Sequence, residues 1–297
     1  MATRIETAYT RRARYYSSAD GFNIKRPAVP AHVFTAERDR ALDPAAPTGL
    51  IPLDLSGPLG LDFPATTPLI LSRYARIRAG ESLCTAFVAS GELYYVMSGE
   101  GETTWGDEGL AWEAGDVFHL PGGFAVTHRA ARDSLLYVIT NEPELAFEHC
   151  RPPAPGAAPI EAVHYPADDI RRELDKIVAL PADRVGAGRA LSFANASLEK
   201  ARTCLPSFTL AMNSLAPGES QRAHRHNAVA VTLIVRGEHC YSMVGGRRVD
   251  WQPDAVMITP PADAHSHHND GDHLAVFLIV QDGGLHYHTR TMGFSYE

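Results

Sequence analysis

Short apolar runs, interrupted by clusters of Gly, Pro, Asp and Ser, occupy two long stretches of the chain. From about residue 65 to 147 the runs LILSRYARI, ELYYVM, DVFHL and SLLYVIT are separated by SGEGE, WGDEG and LPGG. Runs of this length between turn signals predict strands of a sandwich or small barrel. From about 204 to 282 the same texture returns in SFTLAM, AVAVTLIV, HCYSMV, AVMITP and LAVFLIVQ. Between them, RPPAPGAAP reads as a linker, and DDIRRELDKIVAL places Ile170, Leu174, Ile177 and Val178 on one helical face. Asp168 is the expected N-cap of that helix and Pro181 its stop. Residues 1–60 show little periodicity and many prolines, which predicts an extended arm packed on a domain, its own or a neighbour's. The expected organisation is therefore an arm (1–60), a β domain (61–150), a linker with a helix (151–185) and a second β domain (186–297).

The two β stretches are copies of one unit. Gly80 and Gly218, and likewise Gly99 and Gly237, are separated by 138 residues; Gly115 and Asp254, and Pro121 and Pro260, by 139. Duplication of a whole β domain implies a closed or nearly closed barrel, which needs no long stacked array to cover its edges.

Composition narrows the function classes. A net charge of −8 repels nucleic acid and anionic membrane surfaces, and no apolar run is long enough to span a bilayer. The first residues show no apolar run after their basic positions, and Cys84, Cys150, Cys204 and Cys240 form no CxxC pair. Free thiols in a reducing cytoplasm are the expectation. Histidine is the outlier: of fourteen, nine fall in the last 74 residues.

Four of those nine are spaced for chemistry. His224 and His226 in AHRHN are i and i+2, so on a strand they share a face. His265 and His267 in AHSHHN repeat the spacing. His224, His226 and His265 from adjacent strands would make a three-imidazole set with open coordination positions. Such a set suits Fe(II), Zn, Cu or Ni, and affinity order alone does not choose among them.

These motifs resemble the cupin superfamily. The first cupin motif falls on Gly218, His224, His226 and Gly237, and the second on Asp254, Pro260, Ala262, His265 and Asn269. Two motif glycines are replaced, by Asp254 and Ala262, and the motif glutamate position is Ala230. In the first repeat the frame fits through Gly80, Glu92, Gly99, Gly115, Pro121 and Gly123, and the histidine positions fall on Ala86, Val88 and Val126. The resemblance implies an all-β bicupin of two double-stranded β-helix (jelly-roll) barrels, a silent one and a metal-bearing one, with an N-terminal arm and a short inter-domain helix.

Within that superfamily PGE, HRH, ITPP and HxH resemble gentisate 1,2-dioxygenase and its salicylate and hydroxynaphthoate relatives, which also lack the motif glutamate. That likeness implies an Fe(II)-dependent dioxygenase that opens the ring of a small hydroxylated aromatic substrate, with Mn, Ni, Cu or Zn as other candidate metals. It implies metal ligation by His224, His226 and His265, and a proton-handling or hydrogen-bonding role for His267. Thr232 stands where the relatives carry an arginine that grips the substrate carboxylate. Arg222, of the same strand parity as His224, is the expected replacement. Ala262 and Ala264 replace aromatic residues beside the third ligand.

His128 aligns with His267 and His119 with the wall position Ile258. His286 and His288 form a third HxH, expected at a surface or subunit contact. Asp107, Glu108 and Glu113 read as a solvated turn face, with Trp105 and Trp112 packing beside it. A metal-dependent decarboxylase, isomerase, lyase or hydrolase is the alternative reading, and a non-enzymatic small-molecule binder a third. Expected partners are a small substrate and dioxygen, with no nucleic acid and no membrane, in a homodimer or higher homo-oligomer.

Overall fold

The longest apolar runs become strands that are covered on both sides. In Ser134–Thr140 every residue is buried. Leu135, Tyr137 and Ile139 face a cluster shared with the other half of the molecule, while Leu136 and Val138 face the interior of their own barrel. Ala275–Gln281 repeats the arrangement, with Val276, Leu278 and Val280 in the shared cluster and Ala275 and Phe277 turned inward. A strand buried on both faces needs no polar alternation, which is why these segments read as unbroken hydrophobic runs. The computed structural model describes residues 6–22, 24–181 and 188–297. Residues 1–5 and 23 of the expected arm lie outside the described residues. So do 182–187, the end of the expected linker and the start of the second β domain.

Each repeat is a barrel of two antiparallel sheets. In the first, a six-stranded sheet runs Val163–Tyr165, Val117–Pro121, Gly91–Ser98, Ser134–Thr140, Leu71–Ile77, Gly49–Pro52. It accompanies a four-stranded sheet ordered Ser82–Thr85, Val126–Ala130, Glu100–Trp105, Glu108–Glu113. In the second, the six strands are His32–Val33, Val256–Thr259, Ala230–Arg236, Ala275–Gln281, Thr209–Leu215 and Arg189–Phe193. The five-stranded sheet there is Arg247–Asp250, Cys240–Val244, His265–Asn269, His224–His226, Phe294–Tyr296. The two six-stranded sheets meet across the shared core, where the Tyr74 hydroxyl also donates to the Asp254 carbonyl at 2.6 Å. The outer sheets alternate buried and open positions, as in Cys240–Val244.

The expected arm divides in two. His32–Val33 pairs with the second barrel and Gly49–Pro52 with the first, so residues 32–52 stitch the barrels together. Upstream, the helices Ala8–Arg12 and Ser18–Gly21 bury nothing, and Tyr9, Tyr15, Tyr16 and Phe22 are exposed. The linker helix runs Ala167–Val178 with Pro166, not Asp168, at its N-cap position. The local signal misleads because the cap comes from elsewhere: Asp116 of the first barrel accepts from the Ala167 N–H at 2.7 Å and bonds His164 at 2.8 Å. At the other end Arg189 donates to the carbonyls of Ile177, Val178 and Leu180, a cation on the negative pole of the helix. The helix ends at Val178, ahead of Pro181.

The lost motif glycines leave a trace. Gly115 and Gly123 adopt left-handed backbone at φ 95° and 90°, and so do their counterparts Asp254 and Ala262 at 65° and 66°. Asp tolerates that region through its short polar side chain, whereas Ala carries its Cβ against the following carbonyl.

One sequence alignment requires correction. Thr85 pairs with Val126 as His224 pairs with His265, so Thr85 and Phe87, not Ala86 and Val88, occupy the positions of His224 and His226. Thr85 and Phe87 are buried, and Ala86 and Val88 are exposed. The offset is 139 here and 138 at the preceding glycine, and a slip of one residue exchanges the faces of a strand.

Candidate metal centre

The three-residue strand His224–His226 buries its ends and exposes Arg225 between them. The strand His265–Asn269 lies beside it with His265 directly opposite His224. Alternation on one strand and registration with the next bring three buried imidazoles together, with a possible ligand atom from each lying within 4.8 Å of the others. Ring centroids are 4.3 Å apart for His224 and His265, and 4.7 Å for His226 and His265.

Each ring is oriented by a backbone carbonyl. His224 Nδ1 bonds to the Arg222 carbonyl at 3.0 Å, His226 Nδ1 to Ala228 at 2.8 Å, and His265 Nδ1 to Asp263 at 2.9 Å. A carbonyl only accepts, so each Nδ1 carries a proton, and in the neutral ring it is Nε2 that offers the lone pair. Burial, with the neighbouring imidazoles, pushes His265 down to about 4 and lowers His226, keeping both rings neutral at pH 7. Neutral rings with fixed tautomers are what a divalent metal requires, and such outer partners ordinarily orient metal-binding histidines. This donor set therefore fits a metal ion. Among the described residues it is the one group of three His, Cys, Asp or Glu side chains close enough to hold one.

The triad opens on a cavity of about 370 Å³. Ala190, Ala211, Ala230, Ile279, Met292 and Phe294 give it apolar walls, and Asn213, Gln221 and Gln281 give it carboxamides. Among the described residues, none of the side chains lining it is Lys, Arg, Asp or Glu. Phe294 stacks on His224 at 5.2 Å from the strand Phe294–Tyr296, which pairs along His224–His226 and closes that edge of the sheet.

His267 lies two residues beyond His265 and is buried against Trp251 and Phe277. Its Nδ1 is 2.7 Å from Ser242 Oγ, which also accepts from the Trp251 indole N–H at 2.7 Å. The other acceptor for the Ser242 proton is the Met257 sulfur at 3.8 Å, a weak one. The hydroxyl proton therefore goes to Nδ1, and Nε2–H becomes the donor at the cavity wall. Burial first, then the adjacent imidazoles, lowers the His267 pKa well below its ordinary value.

The first barrel holds the same relay. Trp112 donates to Thr103 at 2.8 Å, and Thr103 bonds His128 Nδ1 at 2.7 Å. His128 Nε2 is buried without a partner, burial pushes this ring down to about 4, and the ligand positions around it are Thr85, Phe87 and Val126. Trp105 and Trp112 are buried, as expected.

Two expected substrate contacts lie elsewhere. Arg222 is exposed, its guanidinium donating to the Glu297 carbonyl and lying 4.5 Å over the Tyr296 ring, so it does not line the cavity. The parity argument failed because residue 222 precedes the strand, where alternation does not apply. Thr232 is buried with its hydroxyl unpartnered and sits farther along its strand than Ala230, also outside the cavity lining. His286 and His288 lie on the helix Gly283–Thr289, where an i, i+2 spacing separates side chains; His286 meets Asn227 and His288 is exposed. Gln281, Asn213, Ser242 and Trp251 were missed, although Thr103 with Ser242, and Trp112 with Trp251, keep the 139-residue offset that marked the repeat.

The chain folds as two antiparallel barrels joined through their six-stranded sheets, with histidines clustered in the second, and residues 212–281 match the cupin domain family. Gentisate 1,2-dioxygenase of Ralstonia sp is 38% identical over 79 residues, 27% of this chain and 22% of that protein. The 1-hydroxy-2-naphthoate 1,2-dioxygenase of Nocardioides sp. (strain KP7) is 32% identical over 101 residues, 33% of this chain and 26% of that protein. These matches span about a quarter of each curated relative. Salicylate 1,2-dioxygenase from Pseudaminobacter salicylatoxidans superposes with a TM-score of 0.75 at 15% identity, over 99% of this chain and 94% of that one.

Proposed function

We propose that the protein is a cupin-type dioxygenase that opens the ring of a small hydroxylated aromatic substrate, using Fe(II) held by His224, His226 and His265. The observation that carries the reading is the carboxylate-free triad: three buried imidazoles, each with its Nδ1 bonded to a backbone carbonyl, and Ala230 where a cupin glutamate would stand. It is supported by the partial similarity of the chain to gentisate and 1-hydroxy-2-naphthoate 1,2-dioxygenases. Bound iron would supply the electronic coupling between a chelated ring and dioxygen. The chain's own residues do the rest. Ala230, Ile279 and Phe294 exclude water from the reacting face, and His267 Nε2–H donates to a substrate oxygen, holding it and stabilising charge that develops there. Asn213 and Gln221 read uncharged polar groups, a part that neither Arg222 nor Thr232 is placed to play.

The lack of a cation among the described lining residues favours one second reading, a metal-dependent cupin of another reaction class acting on a substrate without a free carboxylate. Oxygen-electrode measurements on anaerobically prepared, Fe(II)-loaded protein separate the two. The panel is gentisate, salicylate, 5-aminosalicylate, 1-hydroxy-2-naphthoate, catechols and β-diketones. Uptake of one O₂ per substrate is expected with at least one of them. Turnover under argon without uptake on any would overturn the dioxygenase. The exposed aromatic side chains of Tyr9, Tyr15 and Tyr16 support a homo-oligomer, which light scattering on the full chain reads directly.

A further inference from the structure

Gln281 stands beside the triad in a way that no feature of the repeat demands. It ends the strand Ala275–Gln281 and pairs directly with Ala230, the position of the missing motif glutamate. Directly opposed residues of an antiparallel pair project to the same face with Cβ atoms about 5 Å apart. The small Ala230 thus vacates a place that the longer Gln281 side chain reaches from the neighbouring strand. Its carboxamide nitrogen lies 3.3 Å from His226 Nε2, the nitrogen whose lone pair is free. In the first barrel the corresponding pair is Glu92 with Thr140, so the long polar residue and the short one have exchanged strands.

Two atoms bound to one metal at adjacent positions, each at about 2.0–2.1 Å, sit about 3 Å apart. The contact between Gln281 and His226 has that spacing. A metal that takes the His226 lone pair leaves the amide N–H₂ nothing to donate to, and a half-turn about the terminal torsion presents Oε1 in its place.

We propose that Gln281 is a fourth protein ligand, binding the metal through its carboxamide oxygen as a neutral substitute for the cupin glutamate. The proposal rests on the three-histidine reading and sharpens it. A carboxylate would cancel part of the metal's charge, whereas an amide leaves it intact to attract a chelating phenolate. Amide oxygen also binds more weakly than carboxylate, so the ligand yields its position when substrate and dioxygen need it.

The test is Co(II) titration of the apo-protein, with affinity read by chelator competition and coordination by the visible d–d spectrum. Gln281→Ala is expected to weaken Co(II) binding about 10- to 100-fold and to change the d–d bands, and Gln281→Glu to restore the affinity. Unchanged affinity in Gln281→Ala overturns the proposal. So does weaker binding with an unchanged spectrum, since that result means Gln281 only steadies His226. The triad is judged separately by the His226→Ala, His265→Ala double variant. Loss of Co(II) binding there supports the three-histidine reading, and wild-type binding overturns that reading and the fourth ligand with it.

Discussion

The two barrels share a Trp–hydroxyl–histidine relay, Trp112–Thr103–His128 in the first and Trp251–Ser242–His267 in the second, yet they surround it differently. In the second barrel the relay histidine borders three imidazoles and a cavity. In the first it packs against Tyr94, whose hydroxyl donates to a buried carboxyl, Glu92. The relay thus belongs to the fold, as a way of satisfying a buried imidazole. In the second barrel the relay histidine lines the cavity beside the triad. The same framework in the first barrel leaves the His128 Nε2 and Glu92 Oε1 unpartnered, a cost without a visible use.

The sharpest way to break this comparison is to remove both relay histidines in turn. His267→Ala is expected to lower kcat/KM by 10²- to 10⁴-fold, about the range for a positioned proton donor, while His128→Ala leaves it unchanged. Equal effects would show that both are structural.

Glu92 comes next. Burial pushes its carboxyl up to about 7, against a partial offset from the Tyr94 hydroxyl bond. The folded protein therefore holds a proton that the unfolded chain releases near pH 4.3, so stability falls as pH rises from about 4.3 to about 7 and stays lower above that. Glu92→Gln should remove the fall and gain up to about 3 kcal/mol over wild type between pH 4 and pH 8. Urea midpoints at the two pH values measure it, and parallel shifts in both proteins would contradict it. Ser242→Ala frees the His267 tautomer and should cost about tenfold in rate, whereas Thr103→Ala should lower only the melting temperature. Smallest is the backbone strain: Ala262→Gly should stabilise by about 1 kcal/mol, and Asp254→Gly by less, because Asp already tolerates left-handed backbone.

Much of this was legible in the chain. Period-two spacing placed His224 with His226, and the 138–139 residue offset exposed the duplication, because strand parity and turn glycines are local properties. What stayed hidden depends on partners far apart in sequence. Asp116 caps a helix 51 residues away, and Gln281 reaches His226 from 55 residues away. Arg222 shows the opposite limit, since parity counted past the end of a strand predicts nothing. Thr85 and Phe87 show that one residue of slip inside a repeat moves every assignment to the wrong face.

Metal content decides the central claim most directly. Untagged protein prepared anaerobically, loaded with Fe(II) and desalted should retain about one metal per chain, and the His224→Ala, His226→Ala double variant should retain almost none at an unchanged melting temperature. Wild-type occupancy in the double variant would contradict the site and the account built on it.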